Sequence, residues 1–106
     1  MIRGSIWWVE FDPAVGTEIH KTRPAVIVSN DTANKFLARV VVIPLTSNIS
    51  RVYPGEAVIT VNGSKSKAMT DQIMSADKSR LKNKIGELSN NDMISLETAM
   101  KQFLNL

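Results

Sequence analysis

Two apolar runs constrain this chain more than any other feature of it. Pro24–Ser29 reads P-A-V-I-V-S and Arg39–Leu45 reads R-V-V-V-I-P-L, each nearly continuous in small, aliphatic or β-branched residues. A run that does not alternate with polar residues reads as a strand covered on both faces. A chain of 106 residues is near the usual size of one domain around one core, so the reading is a single domain spanning 1–106. Both runs then belong to the interior of one sheet. Pro44 has no N–H to donate and limits pairing near the end of the second run.

The flanking segments add shorter strands. Ile6–Phe11 is rich in aromatic and β-branched residues and stops at D-P. Asp12–Thr22 carries Pro13 and Gly16, shows no periodicity, and reads as a long loop of the kind that is commonly functional. D-T-A-N-K-F reads as one helical turn capped by Asp31, and Thr46–Pro54 as polar loop. Glu56–Val61 and Lys65–Met69 flank N-G-S, a hairpin signal. Gln72–Ser75 continues the sheet and Ile85–Leu88 adds a last short strand.

Helical period appears only at the end. Ser89 followed by Asp92 is a helix start, and Met93, Leu96, Met100 and Phe103 recur at helical spacing. Such a stripe is more often core packing than a partner groove. The fold class predicted is α+β, mainly β: an antiparallel sheet of about five to seven short strands, curled into a small barrel and closed by a C-terminal helix.

Composition removes several functions. The chain has no cysteine, which excludes disulfides and thiolate zinc sites and fits a reducing compartment. The N-terminal apolar run is interrupted by Glu10 and Asp12, too early for a signal segment or a membrane span. The expectation is a cytoplasmic protein with no membrane partner. Thirteen Lys and Arg against ten Asp and Glu give a net charge of +3, which permits nucleic-acid binding without demanding it. Lys78, Arg80, Lys82 and Lys84 alternate, and in an extended segment would all point one way. They read equally as a phosphate-binding stripe or as lysines protecting an edge strand.

Three places collect groups capable of chemistry: the loop ahead of Arg23, P-L-T-S-N at 44–48, and Thr70-Asp71-Gln72. A single histidine, His20, builds neither a multi-histidine metal site nor a paired-histidine acid and base. Carboxylates are too scattered for a two-metal nuclease. An enzyme made of these parts works with no metal and no cofactor. RNA suits so small an inventory because it carries its own nucleophile, the 2′-hydroxyl. Arg23 would meet a phosphate with a bidentate fork, Thr46 would hydrogen-bond a non-bridging oxygen, and Glu18 or Asp71 would take the 2′-proton. Each residue also has a plain structural explanation. Arg23 could pair with Asp71 or Glu18, Thr46 could cap the turn after Leu45, Asp71 could start a turn, and His20 could be an exposed loop residue. Composition and spacing do not choose between these.

In G-S-I-W-W-V-E-F-D-P-A-V-G-T-E (4–18), T-R-P-A-V-I-V-S-N (22–30), V-V-V-I-P-L-T-S (40–47) and M-T-D-Q-I-M-S-A-D-K-S-R-L (69–81), followed by I-G-E-L, the chain resembles the MazF/PemK toxins of bacterial toxin–antitoxin systems. The resemblance covers essentially the whole chain. It implies an SH3-like barrel of the CcdB/MazF type, assembled as a homodimer. The implied activity is metal-independent endoribonuclease cleavage of single-stranded RNA, often mRNA, at short motifs. The products would carry 2′,3′-cyclic phosphate and 5′-hydroxyl ends. It also implies a cognate antitoxin with an acidic, partly disordered segment lying in the RNA groove.

By family position Arg23 and Thr46 are the catalytic pair, with Glu18 and Asp71 as accompanying carboxylates. His20, Lys21, Thr22, Ser47, Asn48, Tyr53, Lys78 and Arg80 are the candidate RNA-binding residues. Thr22 stands where some members have a histidine before the R-P arginine. Met69 stands where some have an arginine two residues before the D-Q aspartate. Two competing readings differ in class. One is a CcdB-like gyrase poison, which acts through the end of its C-terminal helix, here K-Q-F-L-N-L with no tryptophan. The other is a catalytically dead RNA-binding barrel. Trp7, Trp8 and Phe11 could stack on bases, but in an alternating strand they more often serve core or dimer interface.

Overall fold

A computed structural model describes all 106 residues. Its strands are β1 (Ser5–Glu10), β2 (Thr22–Ile27), β3 (Arg39–Thr46), β4 (Ala57–Val61), β5 (Ser64–Ala68), β6 (Met74–Asp77) and β7 (Leu81–Glu87). Helix α1 (Asp31–Phe36) sits between β2 and β3, and helix α2 (Asn90–Leu104) ends the chain. The sheet runs β4-β5-β3-β2-β1-β7, every pairing antiparallel, with β6 also on β3.

Strand β3 produces the curl. Its first half pairs with β6, from Arg39↔Asp77 to Val42↔Met74. Its last two residues turn away to pair with β5 as Leu45↔Ala68 and Thr46↔Lys67. A strand shared in this way bends one sheet into a half-barrel, and α2 covers the concave side against β4. The antiparallel, helix-closed barrel read from the sequence is the architecture found.

The two central strands are covered on both faces, as their apolar runs require. Val26, Val28, Ile43 and Leu45 join Ile6, Ile59, Leu96 and Ala99 in one cluster beneath α2. Ala25, Ile27, Val40 and Val42 join Val9, Phe11, Ala76 and Leu81 in a second cluster on the opposite side. Alternate residues of one strand therefore feed two cores.

The local signals were read well in some places and missed in others. Asn62 (φ 48°) and Gly63 (φ 82°) form the turn between β4 and β5, as a two-residue hairpin with positive φ at both positions demands. Ser89 caps α2 by accepting from the Asp92 N–H. The cap of α1 is Asn30, whose side chain accepts from the Ala33 N–H, and not Asp31. Asp31 instead accepts from the Arg3 N–H at 2.7 Å. Gln72 is not in a strand, because Thr70–Gln72 makes a 3₁₀ turn and β6 begins at Met74. The last strand starts at Leu81, earlier than the apolar residues suggest.

The alternating basic stripe does not form either. Lys78–Arg80 is a second 3₁₀ turn, held because Asp77 accepts from both the Ser79 N–H (2.9 Å) and the Ser79 hydroxyl (2.5 Å). Those two bonds hold the Asp77 carboxyl below its ordinary value of 3.8, with smaller help from the charges of Arg39 and Arg80. No helix is long and apolar enough to cross a membrane.

Candidate active site

The register of the sheet builds the site. Ala25 pairs with Pro44, Val26 with Ile43 and Ile27 with Val42. That pairing stops at Ala25↔Pro44, two residues short of Arg23 near the start of β2 and of Thr46 at the end of β3, so both stand at the same end of the β2–β3 pair. Arg23 is also the register partner of Val9 in β1, and Thr46 that of Lys67 in β5.

Arg23 and Thr46 line one open cleft of about 560 Å³, together with Trp8, Lys21, Thr22, Pro24, Leu45, Ser47 and Ser66. Both are half-buried, so their stems are held while their polar ends reach the cleft. Arg23 forms no ion pair within 4.0 Å, contrary to a pairing with Glu18 or Asp71. Its one hydrogen bond runs from Nε to the His20 carbonyl at 3.3 Å. Both terminal nitrogens of the guanidinium therefore remain available for a phosphate fork. The Thr46 hydroxyl oxygen accepts from the Asn48 N–H at 3.2 Å, which leaves its proton free to be donated.

The loop between β1 and β2 enters the cleft through a constrained residue. Lys21 has φ 67°, a left-handed conformation that a non-glycine residue rarely adopts and that clusters at functional sites. It is held there by the Phe11 N–H, which donates to the Lys21 carbonyl at 2.8 Å. His20 is exposed and supplies a carbonyl rather than its imidazole.

The structure places Glu18 and Asp71 elsewhere. They line a second depression of about 240 Å³ with Phe11, Pro13, Ile19, Gln72, Ile73, Met74 and Arg80. Glu18 accepts from the Val15 N–H at 2.8 Å. Arg80 donates to the Glu10 and Asp12 carbonyls at 2.9 and 2.7 Å, so it braces the loop. Lys78 lies in a different depression with Met1, Ile2, Asp31, Asn34 and Lys35, and donates to the Asn34 carbonyl. Tyr53 is exposed and lines a third hollow, of about 190 Å³, with Pro54, Glu56, Thr70, Asp71 and Phe103. Asp71 thus stands on the wall between the second and third hollows.

Trp8 faces solvent in the main cleft, 42% exposed, while Trp7 packs on the second core cluster and Phe11 is buried. Sequence reasoning missed Ser66, and within Thr70-Asp71-Gln72 it gave Gln72 no role. Gln72 ties the long loop down: its side-chain oxygen accepts from the Ile19 N–H at 3.1 Å and its nitrogen donates to the Thr17 carbonyl at 3.4 Å. Its position beside Asp71 in the D-Q segment was the available signal. Ser66 sits among lysines and carried none.

Residues 2–104 match the family model of the PemK-like, MazF-like toxin of type II toxin-antitoxin systems. The chain is 42% identical to Endoribonuclease MazF9 of Mycobacterium tuberculosis, over 100% of this chain and 98% of the relative. It is 34% identical to Endoribonuclease MazF of Staphylococcus epidermidis, over 98% and 91%. Among solved structures, a MazF from Deinococcus radiodurans superposes with a TM-score of 0.87 at 23% identity, covering 100% of this chain and 97% of that one. A mycobacterial endoribonuclease in complex with its cognate antitoxin gives 0.84 at 24% identity, covering 100% and 96%. The same fold and a shared sequence over nearly its full length make this chain a member of the PemK-like, MazF-like toxin family.

Proposed function

We propose that this chain is the toxin of a type II toxin–antitoxin pair, an endoribonuclease that cuts single-stranded RNA in the cytoplasm. The observation that carries the reading is the unpaired Arg23 guanidinium beside the Thr46 hydroxyl in one open cleft. It is supported by relatives at 42% and 34% identity that are named endoribonucleases.

The reaction follows from the substrate. The 2′-oxygen attacks the adjacent phosphorus, the bond to the 5′-oxygen breaks, and a 2′,3′-cyclic phosphate forms. Negative charge accumulates on the non-bridging oxygens of the pentacovalent state. The Arg23 fork and the Thr46 hydroxyl stabilise it there, in the half-buried setting where such contacts are strongest. Arg23 acts through charge and hydrogen bonds alone, because a guanidinium is a poor proton donor. Glu18 or Asp71 takes the 2′-proton, and the leaving 5′-oxygen takes up a proton from solvent. Both carboxylates line the neighbouring depression, so the RNA has to run from the cleft into that depression, or the long loop has to carry Glu18 to the 2′-oxygen.

Lys21, Thr22, Ser47 and Asn48 bind the strand along the cleft, with His20, Tyr53 and Arg80 at its borders. Lys78 lies outside this path. The working form is a homodimer, and the antitoxin's acidic segment occupies the basic groove and excludes RNA.

The test is cleavage of a long single-stranded RNA in EDTA with analysis of the new ends. Wild type should cut and leave cyclic phosphate, while folded Arg23→Ala and Thr46→Ala should each lose about a hundredfold or more, the scale of one lost transition-state contact. Well-folded wild type that cuts no RNA would sink the reading.

A further inference from the structure

We propose that Lys67 is a positioning residue which, through Glu56, fixes the Arg51–Glu56 segment in the shape that RNA meets, and so sets sequence preference. The proposal rests on the ribonuclease reading above and adds to it a determinant outside the cleft.

Lys67 is a lysine where a lysine is unexpected. It lies in the hairpin strand S-K-S-K-A, yet its side chain is only 11% exposed, and that of its partner Glu56 only 10%. Two charges taken out of water to this extent need nearly complete compensation. Lys67 finds it entirely in one segment. Its Nζ lies 3.2 Å from Glu56 Oε1, donates to the Arg51 carbonyl at 2.8 Å, and stands 5.4 Å from the centre of the Tyr53 ring. Glu56 Oε1 also accepts from the Tyr53 N–H at 2.7 Å. One ammonium and one carboxylate therefore tie down the two ends and the middle of six residues that contain no helix or strand.

The rest of the segment is fastened to the sheet and α2. The buried Thr70 hydroxyl donates to the Gly55 carbonyl. Gly55 has φ +87° and lies so close to α2 that an added Cβ would meet the Phe103 Cβ at 3.2 Å. The held segment presents Tyr53 at the hollow it shares with Asp71.

The position of Lys67 links this to the reaction. It is the register partner of Thr46, and its neighbour Ser66 lines the cleft. Thr46 ends β3, and the segment Lys67 clamps lies further along the same loop, after Ser47 and Asn48. Lys67 touches neither the cleft nor the reacting atoms. Its influence passes through the loop, so it acts on which RNA is accepted and not on bond breaking.

Lys67→Met removes the charge and the donors while keeping a stem of similar length. A Lys67→Met/Glu56→Leu double variant guards against misfolding, since removing both partners of a buried pair is tolerated better than orphaning one. In whichever variant folds, KM for an oligonucleotide carrying the preferred site should rise about tenfold while kcat stays within about threefold, the split expected when binding but not the transition-state contact is lost. The set of cut sites on a long RNA should broaden. Amide hydrogen exchange in 51–56 should speed up.

A folded variant with wild-type cut sites and KM overturns the proposal. So does a loss confined to kcat at unchanged sites. If wild type cuts no RNA, the ribonuclease reading fails and with it the role in sequence preference. The exchange experiment then decides the clamp alone, and unchanged exchange in 51–56 refutes it.

Discussion

Arg23 does two things that a lysine at the same place could not do together. Its Nε is held by the His20 carbonyl, which aims the group, and its terminal nitrogens stay free to meet two oxygens of one phosphate at once. A lysine keeps the charge and loses the fork. Arg23→Lys should therefore bind RNA with nearly the same dependence on salt, because the number of charges meeting phosphate is unchanged. Its kcat should fall by about a hundredfold, the usual cost of one missing donor to the transition-state oxygens. Single-turnover kinetics beside a filter-binding titration would separate the two. A loss of affinity with kcat unchanged would mean that the fork is a binding contact only.

The short turn at Lys78–Arg80 shows how an element can be decided by one side chain. Asp77 accepts two bonds from Ser79, and the ionised carboxylate accepts them best, so its pKa falls. A lowered folded-state pKa contributes stability above the ordinary value of 3.8 and loses it as pH falls through the folded value. Wild type should lose stability on acidification below about pH 4 partly through this group. Asp77→Ala should lack that portion of the pH dependence while staying folded at neutral pH. Denaturant unfolding at several pH values would read it, and parallel curves for the two proteins would remove Asp77 from the account.

The same turn marks the limit of what the sequence reveals. K-S-R-L-K-N-K is a faultless alternation, and nothing in the pattern of basic residues announces that Asp77 will coil its first half. By contrast β3 was legible to within one residue and β2 to within two at each end, because burial on both faces leaves a compositional trace that polar patterning cannot imitate. Arg23 and Thr46 stand out as candidates for a related reason: each stands at the end of such a strand. Lys67 was not, since S-K-S-K-A looks like a solvated hairpin until Glu56 and the Arg51 carbonyl are brought to it. The separation of Glu18 and Asp71 from the cleft depends on the path of the 12–21 loop, which Gln72 fixes by contacts made across more than fifty positions of sequence.

At the scale of the molecule, one helix closes one side of the barrel, and Leu96 is its fully buried anchor at 0% exposure. Leu96→Ala should cost about 2–5 kcal/mol, enough to lower Tm by well over ten degrees in a domain of this size. At temperatures where the variant is still folded, cleavage should match wild type, because Leu96 packs among core residues and lines no part of the cleft. A thermal melt with activity measured on the cold side of it is the check. An inactive but folded variant would show that α2 shapes the site and does not merely support it.

Arg23 and Thr46 are rooted in β2 and β3, the strands wrapped by core on both sides. In most enzymes the working parts belong to the softer regions, where local fraying can switch them off while the remainder persists. Here the proposed pair is attached to what would come apart last. Loosening of the loops around the cleft would leave the strands that carry Arg23 and Thr46 in place. An agent that silences such a molecule and leaves it whole has to work from outside, by covering the cleft or by holding the long loop away from it.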